Sequence, residues 1–483
     1  MPNNSNQDGT FDLEPKIKRI SRIKMLRFIV IGITDNPSPW FPPEVMRIIE
    51  HGKMFTGGKR HHELVAKFLP ADAEWIDITA PLDAVFAQYQ SLTSEIIVFA
   101  SGDPLFFGFA NTIKRKMPEA EIILYPTFNS LQMLAHRLVM PYHDMRIVSL
   151  TGRPWPEFDK ALIERTEKIG ILTDKEHTPA AIAQRMLEYG YSYYKMYVGE
   201  HLGHPTLEKV TTLTLEEATL RNFDYPNCLI VTSSPPKLGG VRGGLRSTFG
   251  RLLPSGRKNI HSFILPDLLN TNGHELNTNS PQININDNSC PINGNSCRIF
   301  GLPDSAFALL DGREKMITKM PIRLLTLQAL DLPSHRIFWD IGFCTGSVSI
   351  EARLQFPHLH IEAFEIRPEC EAIIQENARR FGAPGINIHI GDFLETDITI
   401  LPRPDAVFIG GHGGKLKEIM AKVLTVLSDD GCIVMNSVKA PKVLTDSHQL
   451  WDEACQELSL QQDPPTKIIL NENHPIEILK CRR

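Results

Sequence analysis

Residues 337–351 constrain this chain more than any other stretch: Ile-Phe-Trp-Asp-Ile-Gly-Phe-Cys-Thr-Gly-Ser-Val-Ser-Ile-Glu. The opening residues are apolar and suit a buried strand. The acid Asp340 closes that run, Gly342 and Gly346 punctuate a turn, and Val348, Ile350 and Leu354 start a helix-spaced pattern. Strand, glycine turn and helix in succession place a ligand at a helix N-terminus, where free N–H groups and the helix dipole attract its polar end. Glycine allows backbone conformations and close approaches that a Cβ would block. Taken alone, the pattern fits equally a tight βα turn of any α/β domain.

The next two segments narrow the choice. His360–Ile366 reads as a second strand with Glu365 at its carboxyl end. That acid lies about 20 residues past the turn, the spacing of a group that binds ribose hydroxyls. A third strand, Ile386–Ile390, runs into Gly391 and Asp392, and Asp392 is placed to reach an adenine edge. An acid after each of three strands is the order of class I S-adenosylmethionine (SAM) methyltransferases. The spacing fits a nicotinamide-binding domain as well.

At 483 residues the chain is too long for one core, so two or three domains are expected. The net charge of −5 gives no general attraction to nucleic acid or an anionic membrane. No run of 18 apolar residues exists, so no membrane-spanning helix is predicted. Residues 1–24 are polar and basic without an apolar core segment. They are expected to form a disordered N-terminal extension rather than a secretory signal. The 8 cysteines include no CxxC pair, which argues against structural zinc and for reduced thiols in the cytoplasm.

Leu26–Gly32 is a β-branched run ending in glycine, hence a buried strand, and Glu44–Glu50 reads as a helix. Lys53–His61 is a short strand entering a Gly57-Gly58 turn. The basic residues behind that turn either bind an anion or decorate a surface turn. Glu95–Ala100 is a core strand leading into Ser101-Gly102-Asp103-Pro104. Gly102 permits a sharp turn and Pro104 stiffens it. Asp103 then stands at a strand end, facing the crevice where α/β ligands bind, or else in solvent. Strands are predicted at Glu121–Tyr125, Arg146–Leu150, Ile169–Thr173, Lys195–Gly199 and Cys228–Thr232, with helices at Ser130–Arg137 and Thr178–Glu188. In the latter, Thr178 caps and Pro179 takes the first helical position.

From Ser234 the texture changes. Pro235-Pro236 and two glycine pairs mark a loop, made basic by Arg242, Arg246, Arg251, Arg257 and Lys258. It reads as a solvated linker or as a contact surface for an acidic substrate. Residues 270–297 are rich in Asn, Ser and Gly and cannot bury enough surface to fold, so a flexible linker is expected. The predicted organisation is an α/β domain over 25–234, a linker over 235–299 and a second α/β domain over 300–483.

Several local sequences can now be taken together. Gly57–His61, Ser101–Gly108, Leu172–Ala180 and Val198–Pro205 resemble the class III tetrapyrrole methylases of cobalamin biosynthesis, closest to their carbon-5 branch. Gly301–Phe307, Ile317–Lys319, Asp340–Ala352 and Phe408–Leu416 resemble the decarboxylating carbon-15 methyltransferases of the same pathway. The two in this order resemble the family of fused precorrin-6Y C(5,15)-methyltransferases. That family's first-strand loop usually reads Gly-x-Gly-x-Gly, whereas Cys344 takes the middle position here.

The resemblance implies a two-lobed tetrapyrrole-methylase fold followed by a Rossmann-like methyltransferase fold, each using SAM as methyl donor. In the C-terminal domain it implies cofactor contacts from Asp340, Gly342, Thr345 and Gly346 in the turn, Glu365 at the ribose and Asp392 near the adenine. Thr318 and Lys319 would cover the cofactor, although Thr318 also suits a helix cap. Gly410, Gly411 and Gly413 would let it approach a fourth strand end. In the N-terminal domain the implied positions are Gly32, Gly102 and Asp103. Methyl transfer is an in-line displacement helped mainly by positioning and water exclusion, so no catalytic dyad is assigned. No metal is expected.

The implied substrate is a precorrin carrying many carboxylates, for which arginine is the best partner. A cytoplasmic homo-oligomer joined through the methyltransferase domains is expected, with neither nucleic acid nor membrane as partner. Competing readings are a SAM enzyme acting on RNA, a nicotinamide-dependent oxidoreductase, and a non-catalytic scaffold. The charge balance and the lack of an aromatic–basic patch speak against RNA.

Overall fold

The computed structural model describes residues 26–92, 95–233, 300–438, 447–469 and 475–483. The expected extension over 1–24 and the linker with its basic and Asn-rich parts lie outside the described residues. The chain divides into two units, one built on residues 26–187 and 194–233, the other on 188–193 and 300–483.

The first unit contains two sheets. β1 (Arg27–Ile33), β2 (Met54–Gly57), β3 (Glu74–Asp77), β4 (Ile96–Ser101) and β5 (Glu121–Tyr125) form a parallel sheet in the order β3-β2-β4-β1-β5. The runs Phe28–Ile31 and Ile96–Phe99 are apolar at every position because helices cover both faces of a parallel sheet. Successive side chains point to opposite faces. Phe28, Val30, Ile96 and Val98 therefore enter one core, and Ile29, Ile31, Ile97 and Phe99 the other. Burying each such side chain contributes about 1.5–3 kcal/mol.

The second sheet comprises β6 (Arg146–Ser149), β7 (Lys168–Leu172), β8 (Tyr194–Glu200), β9 (Lys209–Thr214) and β10 (Asn227–Ser233), in the order β6-β7-β10-β8-β9. Only β6 and β7 pair in parallel; the other neighbours are antiparallel. The helix Pro179–Glu188 begins where expected, with Thr178 Oγ1 accepting from the Ala181 amide at 3.2 Å. β3 and β9 have no counterpart in the sequence reading. Both are edge strands, short or rich in threonine, with little continuous burial.

The second unit has one large sheet. β11 (Ile337–Ile341), β12 (His360–Glu365), β13 (Ile386–Ile390), β14 (Ala406–Ile409) and β15 (Cys432–Val438) are parallel in the order β13-β12-β11-β14-β15. β16 (Gln461–Gln462), β17 (Thr466–Ile468) and β18 (Ile476–Arg482) complete it, with β18 antiparallel to β15. The order reverses between β11 and β14. Ligands of open α/β sheets bind in the crevice beyond the carboxyl ends at such a switch point.

No helix among the described residues is long and apolar enough to cross a membrane. The 6 described cysteines are buried and free.

Candidate active sites

In the second unit the turn after β11 is built around two left-handed glycines, Gly342 (φ 80°) and Gly346 (φ 71°). Gly342 lies directly against the end of β14. A Cβ on it would come within 2.6 Å of the Gly411 amide nitrogen, and one on Gly410 within 2.9 Å of the Gly342 carbonyl. The Gly410 amide donates to the Ile341 carbonyl at 2.8 Å. These glycines thus let two backbones meet at the switch point. Gly413 is also left-handed, at φ 55°, with open space around it. Gly346 caps the helix Ser347–Gln355.

Cys344, in the middle of the turn, adopts φ 49°, an uncommon conformation for a residue with a side chain. Its amide donates to Glu365 Oε2 at 2.9 Å, which ties the turn to the end of β12. Burial raises the thiol pKa despite nearby Arg367.

Glu365 is 3% exposed and already well satisfied. Besides the Cys344 amide it accepts from the Ile366 and Arg367 amides and from both arms of the Arg367 guanidinium at 2.9 Å. Burial pushes its pKa up, but Arg367 and these amides outweigh burial and leave it below the usual carboxylate range. Asp392 is more open. It accepts from the Leu394 amide at 2.9 Å and pairs with Lys415 at 3.2 Å.

Asp340 is fully buried within β11 rather than standing at the strand's end. Its Oδ2 accepts from Ser349 Oγ at 2.6 Å, while Oδ1 makes no hydrogen bond among the described residues. Burial pushes this carboxyl up to about 7, against the Ser349 bonds and with a small push from the Glu365 charge. A carboxyl whose pKa is raised by folding holds its proton longer in the folded state. Its contribution to stability is complete below the unfolded value of 3.8 and is lost as pH rises toward about 7. Asp340→Asn should therefore flatten the fall in second-unit stability between those limits, by an amount on the order of a few kcal/mol. Denaturant melts across that pH range measure it, and parallel curves for the two proteins would refute it.

Thr345 Oγ1 is likewise buried without a hydrogen bond among the described residues. The Thr345 carbonyl accepts from Asn377 Nδ2 at 3.0 Å, and Asn377 also holds both backbone groups of Ala308. The segment leading to Thr318 and Lys319 is thereby tied to the glycine turn. A second tie is deeper. Arg323, fully buried, reaches Glu351 and Asp304 at 3.1 Å each and the Thr318 carbonyl at 2.8 Å. Glu351 in turn accepts from the Gly301 and Leu302 amides. Thr318 is not a helix cap: the N-cap of Met320–Ala329 is Lys319, which makes no side-chain capping bond. No sequence spacing singles out Arg323, Glu351 and Asn377, because the bonds that tie them to Asp304, Arg323 and Ala308 span 19 to 69 residues.

In the first unit the same device recurs between β1 and β4. A Cβ on Gly32 would sit 1.9 Å from the Gly102 carbonyl oxygen, and Gly102 has φ 61°. Beyond these strand ends lies a cavity of about 420 Å³ whose walls come from both sheets. Gly102 lines it; Gly32 and Asp103 do not. Gly32 is occupied by backbone packing. The Asp103 carboxylate accepts from the Leu105 amide at 2.8 Å, an Asx-type turn.

The polar groups of the cavity are joined. Asp35 accepts from Arg60 at 2.6 Å and meets His201 at 3.0 Å. Ser101 Oγ bonds Arg60 at 3.0 Å and His61 at 2.9 Å. Burial lowers His61 to about 4, with help from the Arg60 charge, so it is neutral at pH 7. Gly58 is the N-cap of the helix Lys59–Val65, so the stretch behind the glycine pair is helical and brings Arg60 and His61 to the cavity wall.

A family model, precorrin methyltransferase domain, matches residues 310–465. The chain is 28% identical over 425 residues to the precorrin-6Y C(5,15)-methyltransferase [decarboxylating] of Sinorhizobium sp, with 87% of each chain covered. It is 33% identical over 181 residues to the cobalt-precorrin-6B C(15)-methyltransferase (decarboxylating) of Salmonella typhi, covering 36% of this chain and 93% of that one. Over 174 residues it is 26% identical to the cobalt-precorrin-7 C(5)-methyltransferase of Salmonella typhimurium, covering 36% and 84%. A glycine-lined switch point followed by strand-end acids, together with these relatives, defines a SAM-dependent methyltransferase. The chain belongs to the precorrin methyltransferases.

Proposed function

We propose that this protein methylates a precorrin macrocycle at carbons 5 and 15 and removes the carboxylate of one acetate side chain. The observation that carries this reading is the similarity to a C(5,15) enzyme across both halves of the chain, with a glycine-built strand end in each half. Two relatives of single-unit length are a decarboxylating C(15) enzyme and a C(5) enzyme, and the motifs at Gly301–Phe307, Asp340–Ala352 and Phe408–Leu416 resemble the former. Decarboxylation is accordingly assigned to the second unit.

Bound SAM supplies an electrophilic methyl group on a sulfonium. In the second unit Gly342, Thr345 and Gly346 would hold its methionine end, with the buried Thr345 hydroxyl and Asp340 oxygen as polar groups still able to accept or donate a bond. Glu365 would receive the ribose hydroxyls and Asp392 the adenine edge, while Thr318 and Lys319 cover the site and Gly410 and Gly411 keep its floor low. Because Arg367 occupies both oxygens of Glu365, its half-exposed guanidinium must swing aside for a ribose to bind. In the first unit Gly102 would lie against the cofactor, and Asp35, Arg60, His61 and Ser101 form the adjoining polar wall. The protein is read as cytoplasmic and as a homo-oligomer.

Glu365→Ala should weaken SAM binding at the second-unit site about ten- to a hundred-fold, the loss of charge-assisted bonds in a buried site. Calorimetry with S-adenosylhomocysteine tests this; an unchanged affinity would make Glu365 only an anchor for the turn. The function itself is tested by anaerobic incubation with SAM and a metal-free or cobalt-containing precorrin-6. The product should carry two more methyl groups and lack one carbon dioxide. Unchanged precorrin mass with either substrate form would overturn the reading.

A further inference from the structure

Beside the main cavity of the first unit lies a second recess of about 420 Å³. The two share Phe106, Phe107 and Gly108, so they form one continuous concave surface. Two cations line the recess: Arg115, on the helix Phe109–Lys116, and Arg153, just after β6. Neither makes an ion pair with a described residue.

Arg153 is nevertheless held in place. Its guanidinium stacks 5.1 Å from the centre of the Phe107 ring, and one arm donates to Ser149 Oγ at 2.6 Å. Phe107 has φ 53°, a strained backbone for an aromatic residue, and the residue is 46% exposed. Strain of this kind persists where the surroundings enforce it, and it gathers at ligand clamps. Leu105 and Phe128 are similarly exposed at the rim. The surface thus offers apolar area flanked by two guanidiniums without carboxylate partners among the described residues.

We infer that Arg115 and Arg153 form a carboxylate-binding subsite that orients a polycarboxylated macrocycle, with Phe107 beneath its edge. The inference rests on the tetrapyrrole reading above for the ligand's shape. Arginine binds carboxylates through two parallel bonds, which fixes orientation as well as affinity. The apolar rim matches the macrocycle, and the guanidiniums match its acid side chains. Arg115 and Arg153 are positioning residues and take no part in bond making.

The test uses the full-length protein and the fluorescence anisotropy of two porphyrin probes, uroporphyrin III with eight carboxylates and coproporphyrin III with four. The wild type should prefer uroporphyrin. Arg115→Gln with Arg153→Gln should weaken uroporphyrin about ten- to a hundred-fold, abolish that preference and leave S-adenosylhomocysteine binding unchanged. Arg153→Lys should recover part of the loss. With precorrin, KM for carbon-5 methylation should rise while kcat holds. An unchanged uroporphyrin affinity in the double variant would overturn the subsite, as would a loss of S-adenosylhomocysteine binding in the same proportion. If the wild type turns over no precorrin, the functional reading fails, yet the porphyrin affinities still decide the subsite.

Discussion

Arg323→Met should destabilise the second unit by about 3–5 kcal/mol, because it leaves a buried carboxylate without its cation. Arg323 and Glu351 are both fully buried, and Asp304 shares the guanidinium. The pair closes the segment from Gly301 to Thr318 over the helix that starts at the glycine turn. Methionine fills the volume without the charge. Urea unfolding of the full-length protein should show one transition moved to lower denaturant and the first-unit transition unmoved. A variant with both transitions in place would mean that the Arg323 network adds nothing. Glu351→Gln should also destabilise this unit, since the Gly301 and Leu302 amides bond different oxygens of the carboxylate and an amide offers only one acceptor oxygen.

Gly342→Val should abolish carbon dioxide release, with a fall of at least about a hundred-fold, the loss expected when positioning at the reacting centre is disrupted. A valine Cβ would collide with the Gly411 backbone, 2.6 Å from its nitrogen and 2.8 Å from its oxygen. The φ of 80° is also outside what a β-branched residue tolerates. The turn must then leave the end of β14, and the helix N-terminus moves with it. The first-unit cavity contains none of these residues and should still bind S-adenosylhomocysteine. Gas release at the native rate from a folded variant would move decarboxylation away from this unit.

Strand ends were legible in the sequence where apolar runs stop at glycine or proline. Ile386–Ile390 and Glu121–Tyr125 have the predicted bounds, and the turn from Gly342 to Gly346 lies between strand and helix as expected. Glycine and β-branched runs act locally, so a linear reading can find them. What escaped was long-range. The Arg323–Glu351 pair, the Asn377 bridge and the Asp35–His201 contact join residues 28 to 166 apart, which no spacing rule encodes. Asp103 does not line the first-unit cavity, and its carboxylate accepts from the Leu105 amide two residues on, a local bond that competes with any other role. The engagement of Glu365 by Arg367 was also invisible, because the sequence shows that the two are neighbours but not that the side chain folds back.

Two separate cofactor sites in one chain are the centre of this account. Calorimetric titration of the full-length protein with S-adenosylhomocysteine counts them directly. The wild type should bind two molecules per chain and Gly342→Val one. A wild-type stoichiometry of one, or a Gly342→Val protein that keeps two, would contradict it.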